Sequence, residues 1–482
     1  MSWKQVSPTR YERSFDSLER FYHTVADAGA PLNKEHYLIS CTAQLQSPLP
    51  PADAVQQAWK ALRLQHPQLA AEAEAEAEAG SGQRFVYQVP TSVADLDAWA
   101  TATFHVVADQ TADELYERLP PSPRFHLYYL PRTSALVFRT PHWRIDGIGL
   151  LHLQSAFFQL LADGAAPVLD GSEASRLCPA LDSAVAASLS PPAADGDAST
   201  AAKAELQPIL SALKTEGILS LPTLPNILPT TSKRLMISLS PESTAHILAA
   251  CSARNITVTA AAHAALALAA LPYSKPPSPN QHQQQQQTYI GFNAFDLRKY
   301  LPPPWNSPAA AVSPYHVGLP FSIPLPSPAS TSTSTSPFTY LSQTFTTFYR
   351  RNLTHPFPRN IFTFLPEFIA QATQLLASPQ PDPLQAPAHP GLSSLGRVNE
   401  ILPAVVRGKA REVRLREWWI AMEVIDRSAW MHVWTWEGRL VLAGCWNGAF
   451  YEEGFVRGLL EAWRGCLEFL CEMGLWVNFA DG

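Results

Sequence analysis

The sequence predicts an α/β protein of two similar halves, each a mixed β-sheet flanked by helices. Three observations lead there. Apolar spacing switches between a helical and an alternating period several times before residue 164, and again after residue 232. Between these regions, 164–230 is poor in pattern and rich in Pro, Ala, Ser and Asp, as expected of an interdomain crossover. The 482 residues exceed one ordinary core and suit two domains of about 200 residues each. The expected division is a first lobe over 1–185, a crossover over 186–231 and a second lobe over 232–482.

In the first lobe, SFDSLERFYHTVADAG (14–29) sets Phe15, Leu18, Phe21, Tyr22 and Val25 at helical spacing behind Ser14 or Asp16 as a cap. HYLISCTAQLQ (36–46) alternates as a half-buried strand. PADAVQQAWKALRLQHPQL (51–69) starts with proline at a helix N-terminus and carries Val55, Trp59 and Leu62 on one face. Strands are expected at 84–89, 103–108, 124–130 and 134–140, the last two joined by a hairpin-length Pro-Arg-Thr. GIGLLHLQSAFFQLLADG then reads as a helix with Leu150, Leu153, Phe157 and Leu160 facing a core and Gly164 ending it. A further helix is expected over 203–214.

The second lobe should open with a strand at 233–239 and helices at 241–254 and 257–271. Strands at 288–298 and 315–325 and helices at 338–351 and 359–377 follow. The end is β-rich, with strands at 411–425, 429–438 and 439–448, the last two turning through Glu437-Gly438, before a closing helix over 451–474. Five low-complexity stretches, 72–83, 190–202, 274–287, 324–337 and 378–391, read as loops or inserts, since they carry too little apolar surface to offset ordering entropy.

Composition bounds the function. A chain 46% hydrophobic with 10% aromatic residues has ample material to bury, and a formal charge of −6 gives no electrostatic reason to expect nucleic acid or an anionic membrane. No apolar run approaches the roughly 18 to 20 residues that span a bilayer, and the polar N-terminus does not read as a secretory signal. The six cysteines form no C-x-x-C pair, which points to buried thiols in a reducing, cytoplasmic setting with no metal site.

The stretch RTPHWRIDGIG carries the chemistry. His142 sits where a strand gives way to a helix, four residues before Asp146-Gly147. A neutral imidazole in a cleft there can take a proton from an alcohol, amine or thiol as that group attacks a carbonyl. Asp146 is placed to fix the loop by an ionic contact, and Gly147 permits backbone shapes closed to other residues. Other candidates read as structural. His263 lies on an Ala/Leu-rich helix, His316 precedes a strand, and Asp296 suits an ionic pair better than an acid. Trp418, Trp419, Trp430, Trp434, Trp436 and Trp446 alternate along strands, which means core or interface, or else an apolar pocket lining.

The order strand, H-x-x-x-D-G, amphipathic helix, crossover, second α/β half resembles the chloramphenicol-acetyltransferase-like superfamily of CoA-dependent acyltransferases, plant BAHD enzymes and condensation domains. WKALRLQHPQLAA resembles the family's early helix, NITVTAAAHAALALAAL the helix after its Thr-Val-Thr opening, and FNAFDLRKYL its strand ending in arginine. The length suggests fungal O-acetyltransferases of the trichothecene type. The resemblance implies two lobes with a central tunnel between them and His142 as general base. It makes Asp146 the aspartate that turns from substrate to bridge an arginine, for which Arg298 is the candidate, and Gly147 the residue that leaves space beside the channel. Pro141 replaces the first histidine of the paired version, and CWNGAFY (445–451) is the rough counterpart of the plant D-F-G-W-G.

The implied reaction is acyl transfer, acetyl transfer foremost, from acetyl-CoA or another acyl-CoA co-substrate to a hydroxyl of a hydrophobic fungal secondary metabolite. Asn447 and Trp446 are candidates for an oxyanion donor or pocket lining, and Arg397 and Arg407–Lys409 for the CoA phosphates, although a solvated basic loop suits the latter better. A monomer is expected. The alternative is a condensation-like enzyme that uses the same pocket with a carrier protein, or that cyclises a natural-product intermediate without an acyl donor.

Overall fold

The computed structural model describes residues 2–76, 82–186, 198–212, 217–274, 287–326, 336–353, 365–374 and 388–475. Two short strands, β1 (Lys4–Ser7) and β2 (Arg10–Ser14), precede α1 (Ser17–Asp27). Asp16 caps α1 in a reciprocal box with Glu19, which also takes a two-point bond from Arg13. The first half continues through β3 (Ile39–Leu45), α2 (Ala52–Gln65), β4 (Glu72–Ala75), β5 (Gln83–Gln88), α3 (Val93–Thr103), β6 (Phe104–Val106), α4 (Ala112–Arg118), β7 (His126–Leu130), β8 (Ala135–Thr140) and α5 (Gly147–Asp163). Gly164, at φ +66°, ends α5 in the left-handed conformation that favours glycine.

After α6 (Leu181–Ala186) and α7 (Ala198–Ala212) come β9 (Ser232–Ser238), α8 (Pro241–Ala253), α9 (Val258–Ala270), β10 (Thr288–Asp296), β11 (His316–Pro324) and α10 (Pro337–Leu353). Residues 365–374 are helical (α11). Strands β12 (Pro390–Arg397), β13 (Val405–Arg407), β14 (Glu412–Met422), β15 (Ala429–Trp436) and β16 (Arg439–Asn447) lead to α12 (Glu453–Leu475).

The two larger sheets are mixed. One has the order β13-β14-β3-β8-β7-β6, parallel only between β6 and β7. The other has the order β12-β15-β16-β9, parallel only between β12 and β15. A β10–β11 ribbon and a β1-β2-β5-β4 sheet complete the set. Strands β13 and β14 come from the later half of the chain yet extend the first sheet, where β14 pairs antiparallel with β3. The lobes therefore do not separate at a single chain crossing. Each large sheet backs its own apolar core, one around Trp59, Phe138 and Trp418 and the other around Tyr289, Met431 and Trp463.

Several expectations change. The stretch 72–83 was expected to be a loop, but Glu72–Ala75 is an edge strand whose glutamates pair with Arg10, Arg84 and Arg124. Helices α3 and α4 and strands β1 and β2 lie where no element was expected. Residues 198–202 of the low-complexity stretch 190–202 belong to α7, and 388–391 of the stretch 378–391 lead into β12. Most of the remaining inserts, and the ends of the helix expected over 359–377, lie outside the described residues. Among those described, no single helix is long and apolar enough to cross a membrane.

Candidate active site

Strand β8 delivers the chain into the turn 141–146. Trp143 is buried among Phe15 and Phe85, and Arg144 donates to the carbonyls of Pro123 and Ala71 at 2.6 and 2.7 Å. Ile145 is fully buried in the core of the first lobe. With its neighbours pinned, His142 alone in this turn stays half-buried, and it lines a cavity of about 230 Å³.

Both halves supply the cavity wall. The turn gives His142, Asp146 and Gly147; β10 and β11 give Phe292, Asp296 and His316; β12 gives Leu392 to Leu395. Tyr22, Tyr37, Met422 and Trp430 close it. A Cβ added to Gly147 would lie 2.9 Å from Leu395 Cδ2, so glycine keeps this wall open. Tyr37 holds φ +68°, a strained conformation for an aromatic residue, and meets Trp430 edge-on at 5.5 Å.

The His142 ring lies flat on Tyr22, with centroids 4.1 Å apart and planes 5° from parallel. Its buried Nδ1 has no hydrogen-bond partner. Burial and the neighbouring His316 push its pKa down to about 3, against a weaker opposite pull from its own carbonyl and Asp146. The imidazole is neutral at physiological pH, the form a base needs.

Asp146 accepts two bonds from Arg298 Nη1, at 2.9 and 2.8 Å, and caps α5 by accepting from the Gly149 N–H at 2.7 Å. Burial alone would raise its carboxyl; Arg298, His316 and the Gly149 N–H more than reverse this and hold it well below the usual range. Arg298, in the turn after β10, also bonds Asp296 at 3.0 Å and the Ser313 carbonyl at 2.8 Å. The structure thus brings Asp146, Gly147 and Arg298 together beside His142. A Cβ on Gly149 would lie 2.2 Å from the Ala311 carbonyl oxygen and 2.7 Å from Arg298 Nη2, so the ion pair also requires this second glycine.

Asn447 and Trp446 are not brought there, which corrects their assignment as oxyanion or pocket residues. Asn447 is fully buried and bonds Thr230, Val424 and Ala449 through both ends of its amide, leaving nothing to offer a substrate. Trp446 is buried and donates to the Tyr451 carbonyl. Neither lines the cavity. His263 is buried between Tyr289 and Tyr349, away from the site. His316 and Asp296, read as structural, both face the cavity. Of the six tryptophans, Trp430 lines it and the other five are buried. Arg397 and Arg407 pair with Glu400 and Glu412.

Sequence reasoning passed over Tyr22, Tyr37 and His316 as site residues. Tyr22 belongs to a helical apolar pattern that does not distinguish a core tyrosine from a pocket one. Tyr37 and His316 carry no local motif. Among the described residues, no group of three or more His, Cys, Asp or Glu is placed to hold a metal ion. None of the cysteines with a described side chain lines the cavity, and burial pushes Cys178 and Cys445 up to about 11.

Two mixed-sheet lobes joined in this order give the chain a fold shared with a fungal O-acetyltransferase and with condensation domains of known structure. Its relatives narrow the class. It is 29% identical to the acetyltransferase pigO of Monascus ruber, over 98% of this chain and 99% of that one. It is also 29% identical to the O-acetyltransferase pigM of the same fungus, over 97% and 87%. Among solved structures, it is similar to the TRI3 trichothecene 15-O-acetyltransferase from Fusarium sporotrichioides, with a TM-score of 0.77 at 16% identity over 98% and 97% of the two chains. The condensation domain of the Monacolin K polyketide synthase MokA superposes with a TM-score of 0.60 at 12% identity over 98% of each. No protein-family model matches the chain.

Proposed function

We propose that the protein transfers an acetyl group from acetyl-CoA to a hydroxyl of a hydrophobic fungal secondary metabolite, with His142 as general base. The observation that carries this reading is a neutral imidazole, fixed flat in a mostly apolar cavity that both lobes line. His142 takes the acceptor's hydroxyl proton as the oxygen attacks the thioester carbonyl. The tetrahedral intermediate collapses, the C–S bond breaks, and the thiolate of CoA leaves with the proton held by the imidazolium. Asp146, tied to Arg298, holds the turn and does not touch substrate. No acyl-enzyme is needed, and buried thiols with raised pKa values are poor nucleophiles.

A third relative, 24% identical over 94% of this chain, is the azaphilone biosynthesis cluster protein M of Aspergillus terreus, which supports an azaphilone-like alcohol as acceptor. We further propose a cytoplasmic monomer whose first lobe is 1–185 completed by the β13–β14 strands and whose second lobe is the rest of 232–482, taking no nucleic-acid or membrane partner. The test is release of free thiol from acetyl-CoA in the presence of hydroxylated azaphilones. His142→Ala should lose the rate by about 10²- to 10⁴-fold with an unchanged circular dichroism spectrum. Undiminished turnover in that variant, or cyclisation of the acceptor with acetyl-CoA untouched, overturns the proposal.

A further inference from the structure

Two carboxylates line the cavity beside His142, and only one of them has capacity left. Asp146 takes Arg298 Nη1 on both oxygens and the Gly149 N–H on Oδ1. Asp296 gives its Oδ1 to Arg298, accepting from the side chain at 3.0 Å and from the backbone N–H at 3.3 Å. Among the described residues, its Oδ2 accepts no hydrogen bond. The side chain stays 34% exposed and lies on the cavity wall. Phe292, Ala294 and Asp296 alternate along β10 and all line the cavity, so the carboxylate ends an otherwise apolar strip. Ser394, on the β12 wall, is taken up by Thr259 at 2.9 Å. Burial raises the Asp296 carboxyl, aided by Asp146 and opposed by Arg298, which makes its free oxygen a strong acceptor.

We propose that Asp296 determines acceptor specificity: its free Oδ2 takes a hydrogen bond from a second hydroxyl of the acceptor. The preferred substrate class is then a hydrophobic diol, with one hydroxyl at His142 and the other at Asp296. The inference rests on the reading of His142 as base and names the kind of alcohol that base serves. Its physical ground is the cost of a hydrogen bond left unmade. A diol displaces water from Oδ2 and replaces it with its own O–H. A mono-alcohol seated in the same cavity displaces that water and returns nothing, which strands a carboxylate oxygen among apolar walls. Fully enclosed sites that bond a substrate hydroxyl reject the analogue lacking it by about 10⁴- to 10⁵-fold. Asp296 is one-third exposed, so water can partly fill the gap, and the discrimination falls to about 10²-fold. Arg298 holds Oδ1 in place and thereby sets the direction of Oδ2, so the recognition is preorganised.

The experiment offers the full chain three acceptors: a dihydroxy azaphilone and the two compounds that each carry hydrogen in place of one of its hydroxyls. Isothermal titration calorimetry without acetyl-CoA reads binding alone. One of the two mono-alcohols should bind the wild type about 10²-fold more weakly than the diol. In Asp296→Ala that gap should close to about threefold, and in Asp296→Asn to about tenfold, because a neutral amide bonds a hydroxyl less strongly. The ratio is the readout, since any disturbance of Arg298 weakens all three acceptors together. With acetyl-CoA present, the same ratio should appear in kcat/KM. A diol that binds the wild type no better than either mono-alcohol overturns the proposal. A gap that persists in Asp296→Ala overturns it too, because another group would then hold the second hydroxyl. Asp296-dependent discrimination without thiol release from acetyl-CoA would count against the proposed acetyl transfer and leave Asp296 in its role. Thiol release without that discrimination does the reverse, so the two readings fail separately.

Discussion

Asp146→Ala removes two interactions at once, and the structure sets the size of the loss. Arg298 and Asp146 have 4% and 6% side-chain exposure, so removing the carboxylate leaves a buried guanidinium with less compensation. Breaking such a pair costs about 3–5 kcal/mol when nothing replaces the lost partner. Here Asp296 at 3.0 Å and the Ser313 carbonyl at 2.8 Å remain, which reduces that contribution to about 2 kcal/mol. The lost cap of α5 adds about 1 kcal/mol. Together, about 3 kcal/mol should lower the unfolding midpoint by about 6–10 °C for a lobe of this size.

The assay is thermal denaturation followed by circular dichroism, with Asp146→Asn, Arg298→Met and an Asp146→Ala/Arg298→Met double variant alongside. Asp146→Asn keeps a side-chain acceptor for the cap and should lose less. The double variant removes the stranded charge and should recover part of the loss. The pH dependence has a definite sign. The folded carboxyl titrates below its unfolded value, so its stabilisation is complete above the unfolded pKa near 4 and is lost as pH falls through the folded value. The gap between wild type and Asp146→Ala should hold steady from pH 8 to 5 and narrow below about 4. A midpoint within 2 °C of wild type at pH 7, or a double variant that merely sums the single losses, would refute the buried-pair account.

Gly149→Ala should destabilise by about 3 kcal/mol and loosen Arg298, because its Cβ would lie 2.2 Å from the Ala311 carbonyl oxygen; chemical denaturation reads the loss. With His142 pushed down to about 3, kcat/KM should stay level as pH falls from 8 through 6.5 and decline only toward about 4; a half-loss near 6.5 would contradict a buried neutral base. In the same linkage, a histidine buried neutral stabilises the fold fully above its unfolded value near 6.5 and loses that contribution as pH falls toward the folded value. Asn447→Ala should cost about 2 kcal/mol of stability through its broken turn while the folded fraction keeps its kcat; a drop in kcat would return Asn447 to the site.

What was legible in the sequence was local. The α5 helix announces itself through apolar spacing, an Asp-Gly start and a glycine end. The His142 turn shows in a contiguous motif, and Arg298 shows at the end of a strand-like run. What was not legible depends on contacts between distant segments. Tyr22 has the same helical spacing as a core residue, and only the fold turns it onto an imidazole 120 positions away. Tyr37 is a site residue through a positive φ that tyrosine gives no sign of adopting. The glutamates of the Glu-Ala repeat became an edge strand because Arg10, Arg84 and Arg124 lie within reach, and composition carries no such information. Trp446 and Asn447 misled for the opposite reason. Their local string looks like a loop near a pocket, but β16 carries both residues into the interior, where Asn447 serves the following turn.

The burial that keeps His142 neutral also makes it a weak base, since less water is left to solvate an imidazolium. A site built on that trade must return the stabilisation only when the proton moves. Asp146 and the Tyr22 ring are the two neighbours placed to do so. Asp146 supplies a negative field that is already saturated by Arg298, so its pull on His142 is present but small. The Tyr22 face carries no net charge, attracts a cation and is nearly indifferent to a neutral ring. A face of that kind favours the protonated ring over the neutral one. On the proposed reading of His142 as base, the Asp146–Arg298 pair holds the turn that carries the imidazole, and the Tyr22 ring faces it.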